Sequence, residues 1–248
     1  MNNRSVFSGK SEDYFRYRPS YPDVAFEWLR ERCSGEIAVD IGAGTGIFTK
    51  GLLRCFKNVS AVEPNADMRK KFHEFLPDKV CSDGTGEATG LQDNSTDLIT
   101  VAQAFHWLDE ERFKAEAIRI LRPAGKVAII WNTTLPNEFS AARDRVCQKY
   151  CPRFRTGHAG KRSVAEGDDF LLHHYFDEVE FASFDNPFVM DRETFEGNMR
   201  SRSYALASDH PDHQDFMTEL HSVFERYAVN NVVIEQQTTQ IYLGKFQV

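Results

Sequence analysis

The sequence predicts an α/β protein with a doubly wound, mostly parallel β-sheet. Short apolar segments alternate with amphipathic segments of helical periodicity over residues 20–132. Strands separated by helices of about 10–15 residues form the crossover units of a parallel sheet. A turn with three glycines directly follows the first apolar segment, in "AVDIGAGTG". After residue 132, two further strand-like segments enclose helical material, which favours an antiparallel pair at the sheet edge with a helical cap inserted between its strands.

The predicted elements follow in order along the first 132 residues. A helix begins near Asp23, "EIAVDIG" is a buried strand, and a helix runs from about Thr45 to Phe56. The second strand, "NVSAVEPN", ends at Glu63, and the helix "ADMRKKFHEFL" is closed by Pro77. The third and fourth strands are "KVCSDGT" and "TDLITVAQAF". An amphipathic helix, "EERFKAEAIRILR", then precedes a Pro123–Gly125 turn and the fifth strand, "GKVAIIWN".

The second half of the chain predicts mainly helices. A long helical stretch covers about 137–176, and the strand "EVEFASFDNPFVM" follows it. Helical segments near 191–207 and 212–229 precede the closing strand, "NVVIEQQTTQIYLGKF". We expect a single domain over 1–248. Its core spans about 31–132, its cap comes from about 1–30 and 137–229, and a C-terminal edge strand spans about 230–246.

Composition limits the classes of partner. The 248 residues are 41% hydrophobic, enough for a sizeable core, and the net charge is −7 with no long basic run. This balance argues against a nucleic-acid or anionic membrane surface, so we expect a small partner. Five scattered cysteines without a CxxC pair predict reduced thiols and no metal site. The N-terminus lacks an apolar signal region and no segment reaches 18 apolar residues, which predicts a cytoplasmic protein.

The glycine turn predicts a nucleotide cofactor. Where a first strand turns into a helix, the free N–H groups of the helix face a ligand crevice, and glycine lets the backbone approach that ligand. Gly42, Gly44 and Gly46 follow G-x-G-x-G, and Ile47 stands where the dinucleotide fingerprint has its third glycine. Asp40 would repel a pyrophosphate but suits a ligand with an ammonium and a sulfonium. The pattern therefore favours S-adenosylmethionine over NAD.

At these residues the chain resembles the class I S-adenosylmethionine-dependent methyltransferases, and within them the small-molecule branch of trans-aconitate methyltransferase-like enzymes. "VDIGAGTG" matches the first family motif and "AVEPN" the second. "DGTGEATGLQDNSTDLITVAQAFHWLD" resembles the adenine-side loop and fourth strand, and "QAFHW" is its most branch-specific part. "LRPAGKVAIIWN" is similar to the fifth-strand region, and "YFRYRPSYP" to the arm that closes over the cofactor. The resemblance covers nearly the whole length and implies a Rossmann-like, seven-stranded fold.

The resemblance also implies roles for individual residues. Asp40 takes the acidic position of the first motif, the three glycines line methionine and ribose, and Glu63 binds both ribose hydroxyls. The resemblance makes Gly86 and Glu87 adenine contacts. From the residues alone, Asp83 competes with Glu87 for that role, and a Tyr14 ring beside a sulfonium would gain cation–π attraction. The candidate cofactor residues are Asp40, Gly42, Gly44, Gly46, Glu63, Pro64, Gly86, Glu87, Gln103 and Tyr14.

Candidate acceptor residues come from strand ends and from the cap. His106 follows the fourth strand, where reacting groups cluster in such sheets, and is a candidate general base. Arg200 and Arg202 could bind a carboxylate through bidentate donors. The candidate substrate residues are Trp107, Trp131, Arg200, Arg202 and Tyr204. Structural interpretations remain open for all of these groups: a tight turn for the glycines, a strand-end acid for Glu63, packing for the aromatic rings and a solvated helix face for the arginines.

Together these features predict methyl transfer from S-adenosylmethionine to a small-molecule acceptor, most favourably to oxygen, with S-adenosylhomocysteine as the product. In-line displacement at a sulfonium needs proximity and alignment but neither metal nor covalent enzyme intermediate. We expect a monomer or homodimer that binds neither nucleic acid nor membrane. Three alternatives stay open: a methyltransferase acting on RNA, DNA or protein, a non-catalytic S-adenosylmethionine-binding protein, and a dehydrogenase.

Overall fold

A computed structural model describes residues 9–154 and 164–246. The strands are β1 (Ile37–Ile41), β2 (Asn58–Val62), β3 (Cys81–Ser82), β4 (Thr96–Ala102), β5 (Leu121–Thr134), β6 (Glu178–Asp185), β7 (Phe188–Met190), β8 (Val233–Glu235) and β9 (Gln237–Lys245). The helices are α1 (Ser11–Tyr17), α2 (Asp23–Arg32), α3 (Ile47–Leu52), α4 (Ala66–Phe75), α5 (Glu110–Ile120), α6 (Glu138–Tyr150), α7 (Val164–Phe170), α8 (Arg192–Arg200) and α9 (His213–Tyr227). A 3₁₀ turn spans Phe105–Trp107 and a π-helical turn Leu171–Tyr175. Positions 1–8 of the predicted cap and 155–163 of the predicted long helix lie outside the described residues.

Seven strands form one sheet in the order β3, β2, β1, β4, β5, β9, β6. The strands from β3 to β5 are mutually parallel, and β9 runs antiparallel to both β5 and β6. The predicted seven-stranded, mostly parallel, doubly wound sheet is thereby confirmed. The C-terminal strand was expected at the edge, and here the structure differs. Strand β6 pairs along the outer side of β9 and is itself the edge strand.

The two faces of the sheet carry separate apolar clusters because successive side chains in a strand point to opposite sides. Val39 and Ile41 belong to the cluster that includes α5 and the C-terminal aromatic rings. Ala38 and Leu98 belong to the cluster on the other face, formed with α2 and α3. Asp40 alternates with Val39 and therefore lies on the α2–α3 face, two positions after the buried Ala38.

A third apolar cluster joins α6, α8 and α9 with Met190 of β7 and Val233 of β8. Helix α1 packs against α8 and against α4. At the second contact the Phe15 and Phe75 rings meet edge-on with their centroids 4.7 Å apart. These contacts place the N-terminal helix across the edge of the sheet at which β1 and β4 end.

The long helix predicted over 137–176 is broken in the structure. Helix α6 begins with a capping box, in which Asn137 accepts from the Ser140 N–H and the Ser140 hydroxyl accepts from the Asn137 N–H. It ends at Tyr150, because Pro152 disfavours a helical conformation at Cys151, which is extended. The next helical segments that the structure describes are α7 and the π-helical turn.

Both late strands are divided, which the sequence analysis did not predict. Pro187 has no backbone N–H, so β6 ends at Asp185 and β7 leaves the main sheet. Strands β7 and β8 form a separate antiparallel pair. The predicted closing strand likewise splits into β8 and β9, with Gln236 between them.

The fifth strand also differs from its prediction. Leu121 pairs with Thr96, and Lys126 pairs with Leu98. The predicted Pro123–Gly125 turn is therefore a bulge between paired positions of one longer strand. Within the described residues, no helix is long and apolar enough to cross a membrane.

Candidate active site

An open cleft lies at the carboxyl ends of β1, β4 and β5. Strand order reverses between β1 and β4, and ligands of open α/β sheets bind at such a switch point. The glycine turn after β1 and the end of α1 line one side of the cleft, and the ends of β5, β8 and β9 line the other. The described residues that line it include Tyr14, Arg18, Asp40, Gly42, Thr45, Gln103, Asn132, Thr134, Arg202, Glu235 and Gln237.

The three glycines of the turn have different physical reasons to be glycine. All three have positive φ, which side chains other than glycine rarely adopt: +68° at Gly42, +57° at Gly44 and +88° at Gly46. A Cβ at Gly42 would lie 2.6 Å from the Ala104 methyl, and one at Gly46 would lie 2.9 Å from the Phe72 ring. A Cβ at Gly44 would meet only the edge of the Tyr14 ring, at 3.9 Å. Gly42 and Gly46 are thus required by packing, whereas Gly44 presents bare backbone beneath Tyr14.

Asp40 is a buried carboxylate on the wall of the cleft, only 1% exposed. One oxygen accepts from the Thr49 hydroxyl on α3 at 2.6 Å, and the other accepts from the Thr100 hydroxyl at 2.9 Å. Thr100 is the register partner of Asp40 on β4, so the strand pairing itself sets this contact. Burial raises the pKa of Asp40 to about 7, and the nearby Glu63 carboxylate adds to the rise.

Glu63 follows β2 and connects the glycine turn to α4. Its Oε2 accepts from the Gly44 N–H at 2.9 Å, and its Oε1 accepts from the Asn65 N–H at 2.8 Å. Asn65 is the N-cap of α4 and accepts from the Met68 N–H. Burial raises the pKa of the Glu63 carboxyl. An ionised carboxylate has about four lone-pair sites, so these two bonds leave room for further donors.

Residues 14–22 form an arm that covers the cleft, and polar contacts to α8 and to the turn after it hold this arm in place. The Arg18 guanidinium lies 4.9 Å from the centre of the Tyr14 ring and donates to the Ser201 hydroxyl at 2.8 Å. The Asn198 amide donates to the Tyr17 carbonyl at 2.8 Å. These bonds place the Tyr14 ring over Gly44.

The opposite wall is polar because alternate residues of the C-terminal segment face the cleft side of the sheet. Glu235 is 3% exposed, accepts from the Thr134 hydroxyl at 2.9 Å and forms a salt bridge with Arg143. The Arg202 guanidinium lies 3.9 Å from the Glu235 Oε1. Gln237 pairs with Thr134 in the β5–β9 register and is 4% exposed.

Comparison with known proteins identifies the family. A methyltransferase-domain model matches residues 39–129. An uncharacterized methyltransferase of Geobacillus sp. is 30% identical over 176 residues, which cover 69% of this chain and 72% of the relative. This chain belongs to the class I S-adenosylmethionine-dependent methyltransferases.

Other matches are more local or structural. An uncharacterized methyltransferase of Mycobacterium tuberculosis (strain H37Rv) is 42% identical over 120 residues, 48% of this chain and 49% of the relative. The match thus spans about half the length of that relative. The structure of a presumed type II methyltransferase from Anaeromyxobacter dehalogenans superimposes with a TM-score of 0.66 at 25% identity. That superposition covers 92% of this chain and 98% of the other.

The glycine turn of this methyltransferase fits the cofactor of its family. The space beside the Gly44 backbone, where a side chain would lie, is not filled by any side chain of the described residues. Thr45 lines the cleft and is fully buried, and its hydroxyl has no hydrogen-bond partner among the described residues. A bound ligand with polar groups would supply the partner that this hydroxyl lacks. Asp40 and Glu63 add negative charge on either side of the turn, which suits a cationic ligand.

Several predicted cofactor residues are not part of the cleft lining. Gly44, Gly46 and Glu63 are among them, although Gly42, Ala43 and Thr45 of the same turn do line the cleft. Gly86 packs near Leu108 and Ile41, and the Glu87 carboxylate accepts from the Asp109 N–H at 2.8 Å, at the start of α5. Asp83 forms a salt bridge of 3.1 Å with Arg69. Pro64 follows Glu63 directly, before α4. Gln103 does line the cleft, with φ of +56° and an amide that donates to the Asn132 carbonyl at 3.3 Å.

The predicted acceptor residues are divided between three places. His106 stacks on Trp131 with ring centroids 5.3 Å apart and lies 4.7 Å from Trp107. This aromatic group is not part of the cleft lining. Arg200 pairs with Asp13 at 3.2 Å, and the Tyr204 ring packs edge-on against a cap phenylalanine. The structure brings Arg202 alone of these candidates into the lining.

Sequence reasoning missed Thr49, Thr100, Glu235 and Gln237. A usable signal was present in "IEQQTTQIYLG", where Glu235, Gln237 and Thr239 alternate and precede the apolar Ile241 on the same face. Polar residues at the end of an otherwise apolar strand face indicate a ligand site or a buried network. Among the described residues, no group of three or more His, Cys, Asp or Glu side chains could hold a metal ion.

Proposed function

We propose that this protein transfers a methyl group from S-adenosylmethionine to a small-molecule acceptor by direct in-line displacement, with an oxygen nucleophile favoured. The observation that carries the proposal is the cradle at Gly44, open beneath Tyr14 and flanked by the Asp40 and Glu63 carboxylates. Family membership supports the cofactor, and the geometry of the cleft supports the kind of acceptor.

The cofactor would be held by the glycine-turn side of the cleft. The bare backbone at Gly44 lets a ligand approach closely, and the unpartnered Thr45 hydroxyl can donate to it or accept from it. Glu63 has lone pairs left for ribose hydroxyls, and its existing bonds hold it beside Gly44. Asp40 and the Tyr14 ring suit the cationic part of the ligand.

Bound S-adenosylmethionine supplies an electrophilic methyl group with a neutral thioether as leaving group. The protein must bring the acceptor atom to about 3–3.5 Å from that methyl group, in line and free of water. The arm covers the cleft from above, and the polar ends of β5 and β9 face it from the other side. An ionised carboxylate acceptor needs no base, whereas a phenol, amine or thiol would need one. His106 remains the candidate for that role, although its ring stacks outside the lining.

The charge of the cleft lining favours a small molecule. The lining holds as many acidic as basic side chains. A polynucleotide would need a basic surface, which the net charge of −7 does not favour. We further propose a cytoplasmic monomer or homodimer.

The test is calorimetric titration with S-adenosylmethionine, S-adenosylhomocysteine and NAD, each alone, on wild type, Glu63→Ala and the surface control Asp67→Asn. We expect micromolar binding of the first two ligands, lost in Glu63→Ala and kept in the control. Methyl transfer from labelled S-adenosylmethionine to a panel of carboxylates, phenols, amines and thiols then identifies the acceptor. Binding of NAD alone would contradict the proposal. Tight cofactor binding with no transfer to any member of the panel would favour a binding protein instead.

A further inference from the structure

Gln237 is a buried amide on the cleft wall whose hydrogen bonding is incomplete. The side chain lines the cleft and is 4% exposed. Its Nε2 is buried, and no atom of the described residues accepts a hydrogen bond from it. Buried donors without a partner are rare in folded proteins, because nothing replaces the water that they give up. Such a donor beside a cleft marks a position that a ligand can satisfy.

The acceptors that neighbour Gln237 already have protein donors, and the negative charge of the one carboxylate among them is balanced by an arginine. The Glu235 carboxylate accepts from the Thr134 hydroxyl at 2.9 Å and is paired with Arg143. The Asn132 carbonyl oxygen of the side chain accepts from the Thr239 hydroxyl at 2.6 Å. Among the described residues that line this end of the cleft, no carboxylate without a cationic partner could therefore pair with an ammonium group.

Donors, in contrast, are in surplus at the same end. Arg202 donates to the Asn198 side chain at 2.9 Å and lies 3.9 Å from Glu235, which Arg143 also pairs with. Burial and the positive charges of Arg18 and Arg143 lower the pKa of Arg202 to about 10. Arg18 forms no salt bridge with a carboxylate of the described residues and donates to Ser201 instead. With Arg18, Arg143 and Arg202 against Glu235 and Asp144, positive side chains at this wall outnumber negative ones by one.

We propose that Gln237 is a specificity-determining residue that donates from its amide to a carbonyl or carboxylate oxygen of the methyl acceptor, beside Arg202. The inference rests on the proposed function, since it assigns the acceptor class of the same cleft. The terminal torsion of glutamine is broad and nearly two-fold. A half-turn about it exchanges the amide nitrogen and oxygen, so the Nε2 donor can turn to the cleft surface. An amine acceptor would find positive charge and no unpaired carboxylate among the described residues of this wall, and would be rejected.

The test uses protein saturated with S-adenosylhomocysteine, titrated calorimetrically with succinate, succinamide and 1,4-diaminobutane. We expect the two oxygen-bearing probes to bind and the diamine not to bind. Gln237→Glu keeps the size but replaces the donor by a negatively charged acceptor, so it should weaken succinate binding by about tenfold or more. Gln240→Glu is the matched control, because Gln240 lies on the same strand and accepts from the Thr133 hydroxyl away from the cleft lining.

Each outcome separates this inference from the function on which it rests. Equal succinate affinity in wild type and Gln237→Glu would overturn it, as would binding of the diamine or failure of both oxygen-bearing probes to bind wild type. If any of these results is found and every variant still binds S-adenosylhomocysteine with unchanged affinity, only this inference is overturned and the proposed function is not contradicted. Absence of S-adenosylhomocysteine binding in wild type would contradict both proposals.

Discussion

Replacing Asp40 with asparagine should stabilise the free protein at neutral and alkaline pH while weakening cofactor binding. Burial raises the pKa of this carboxyl from 3.8 to about 7. A difference of about 3 pKa units between the unfolded and folded chain corresponds to about 4 kcal/mol of unfolding free energy. The exposed fraction of Asp40 is 1%, so solvent screens little of this cost.

Whether Asp40 lowers the free energy of unfolding at a given pH depends on whether the folded chain, the unfolded chain or both hold the proton. Below about pH 4 both states are protonated and Asp40 costs nothing. Between about pH 4 and 7 the unfolded chain ionises first, so wild-type stability falls as pH rises, and above about pH 7 the full cost remains. The amide introduced by Asp40→Asn would not ionise. The advantage of this variant at pH 8 should therefore approach about 4 kcal/mol, less about 1 kcal/mol because the amide has one acceptor oxygen, so that one of the Thr49 and Thr100 hydroxyls must rotate and accept from it instead.

Urea denaturation followed by tryptophan fluorescence at several values between about pH 4.5 and 8.5 measures this difference. Asp67→Asn removes one carboxylate from an exposed position and controls for net charge. An Asp40→Asn advantage that does not grow with pH would refute the reasoning. Calorimetry completes the test: a cationic ligand favours the ionised carboxylate, so wild type should bind S-adenosylmethionine more tightly as pH rises from about 5.5 to 7.5, and Asp40→Asn should not.

Three further predictions concern the turn and the arm. Glu63→Gln keeps the shape of the side chain but leaves one of its two N–H partners without an acceptor. It should lower the free energy of unfolding by about 1–3 kcal/mol in urea denaturation and weaken S-adenosylhomocysteine binding in calorimetry. Unchanged values for both would contradict the bridging role. Gly44→Ala should lower the free energy of unfolding by about 1–2 kcal/mol because its backbone is left-handed. Gly46→Ala should lower it distinctly more, because its Cβ would also lie 2.9 Å from the Phe72 ring. The opposite order of melting temperatures would contradict this. Gly197→Ala would place a Cβ 2.2 Å from the Tyr17 ring and displace the arm. Trypsin should then cleave the arm faster, while the melting temperature of the core stays as in wild type. An unchanged cleavage rate would contradict the docking of the arm on α8.

The cofactor side of the site was accessible from the sequence because it is local. The acid, the glycines and the strand-end Glu63 all lie within 24 consecutive positions, from Asp40 to Glu63. A parallel sheet brings such strand ends to one edge whatever the details of packing. The bonds that hold Asp40 were not accessible, because Thr49 comes from α3 and Thr100 from the register with β4.

The acceptor side was poorly predicted because it is assembled from distant parts of the chain. Arg200 and Arg202 are two residues apart, yet Arg200 turns to Asp13 on the arm and Arg202 turns to the cleft. Gln237 reaches the cleft because β9 pairs with β5, and Glu235 ends β8 two residues before it. The alternation of polar residues indicates a polar strand end, but it does not reveal the pairing that brings this end to the cleft.

The sequence by itself determined the fold class, the order of strands and helices through the core, and the place of the glycine turn, since hydrophobic period and turn chemistry are properties of short segments. Only the tertiary structure decided that β6 is the outer strand, that Glu63 accepts from the Gly44 N–H and that Gln237 and Arg202 line the same cleft. These facts depend on strand register and helix docking. Both are set by the burial of apolar surface across the whole chain, so segments far apart in sequence meet only once that core has formed.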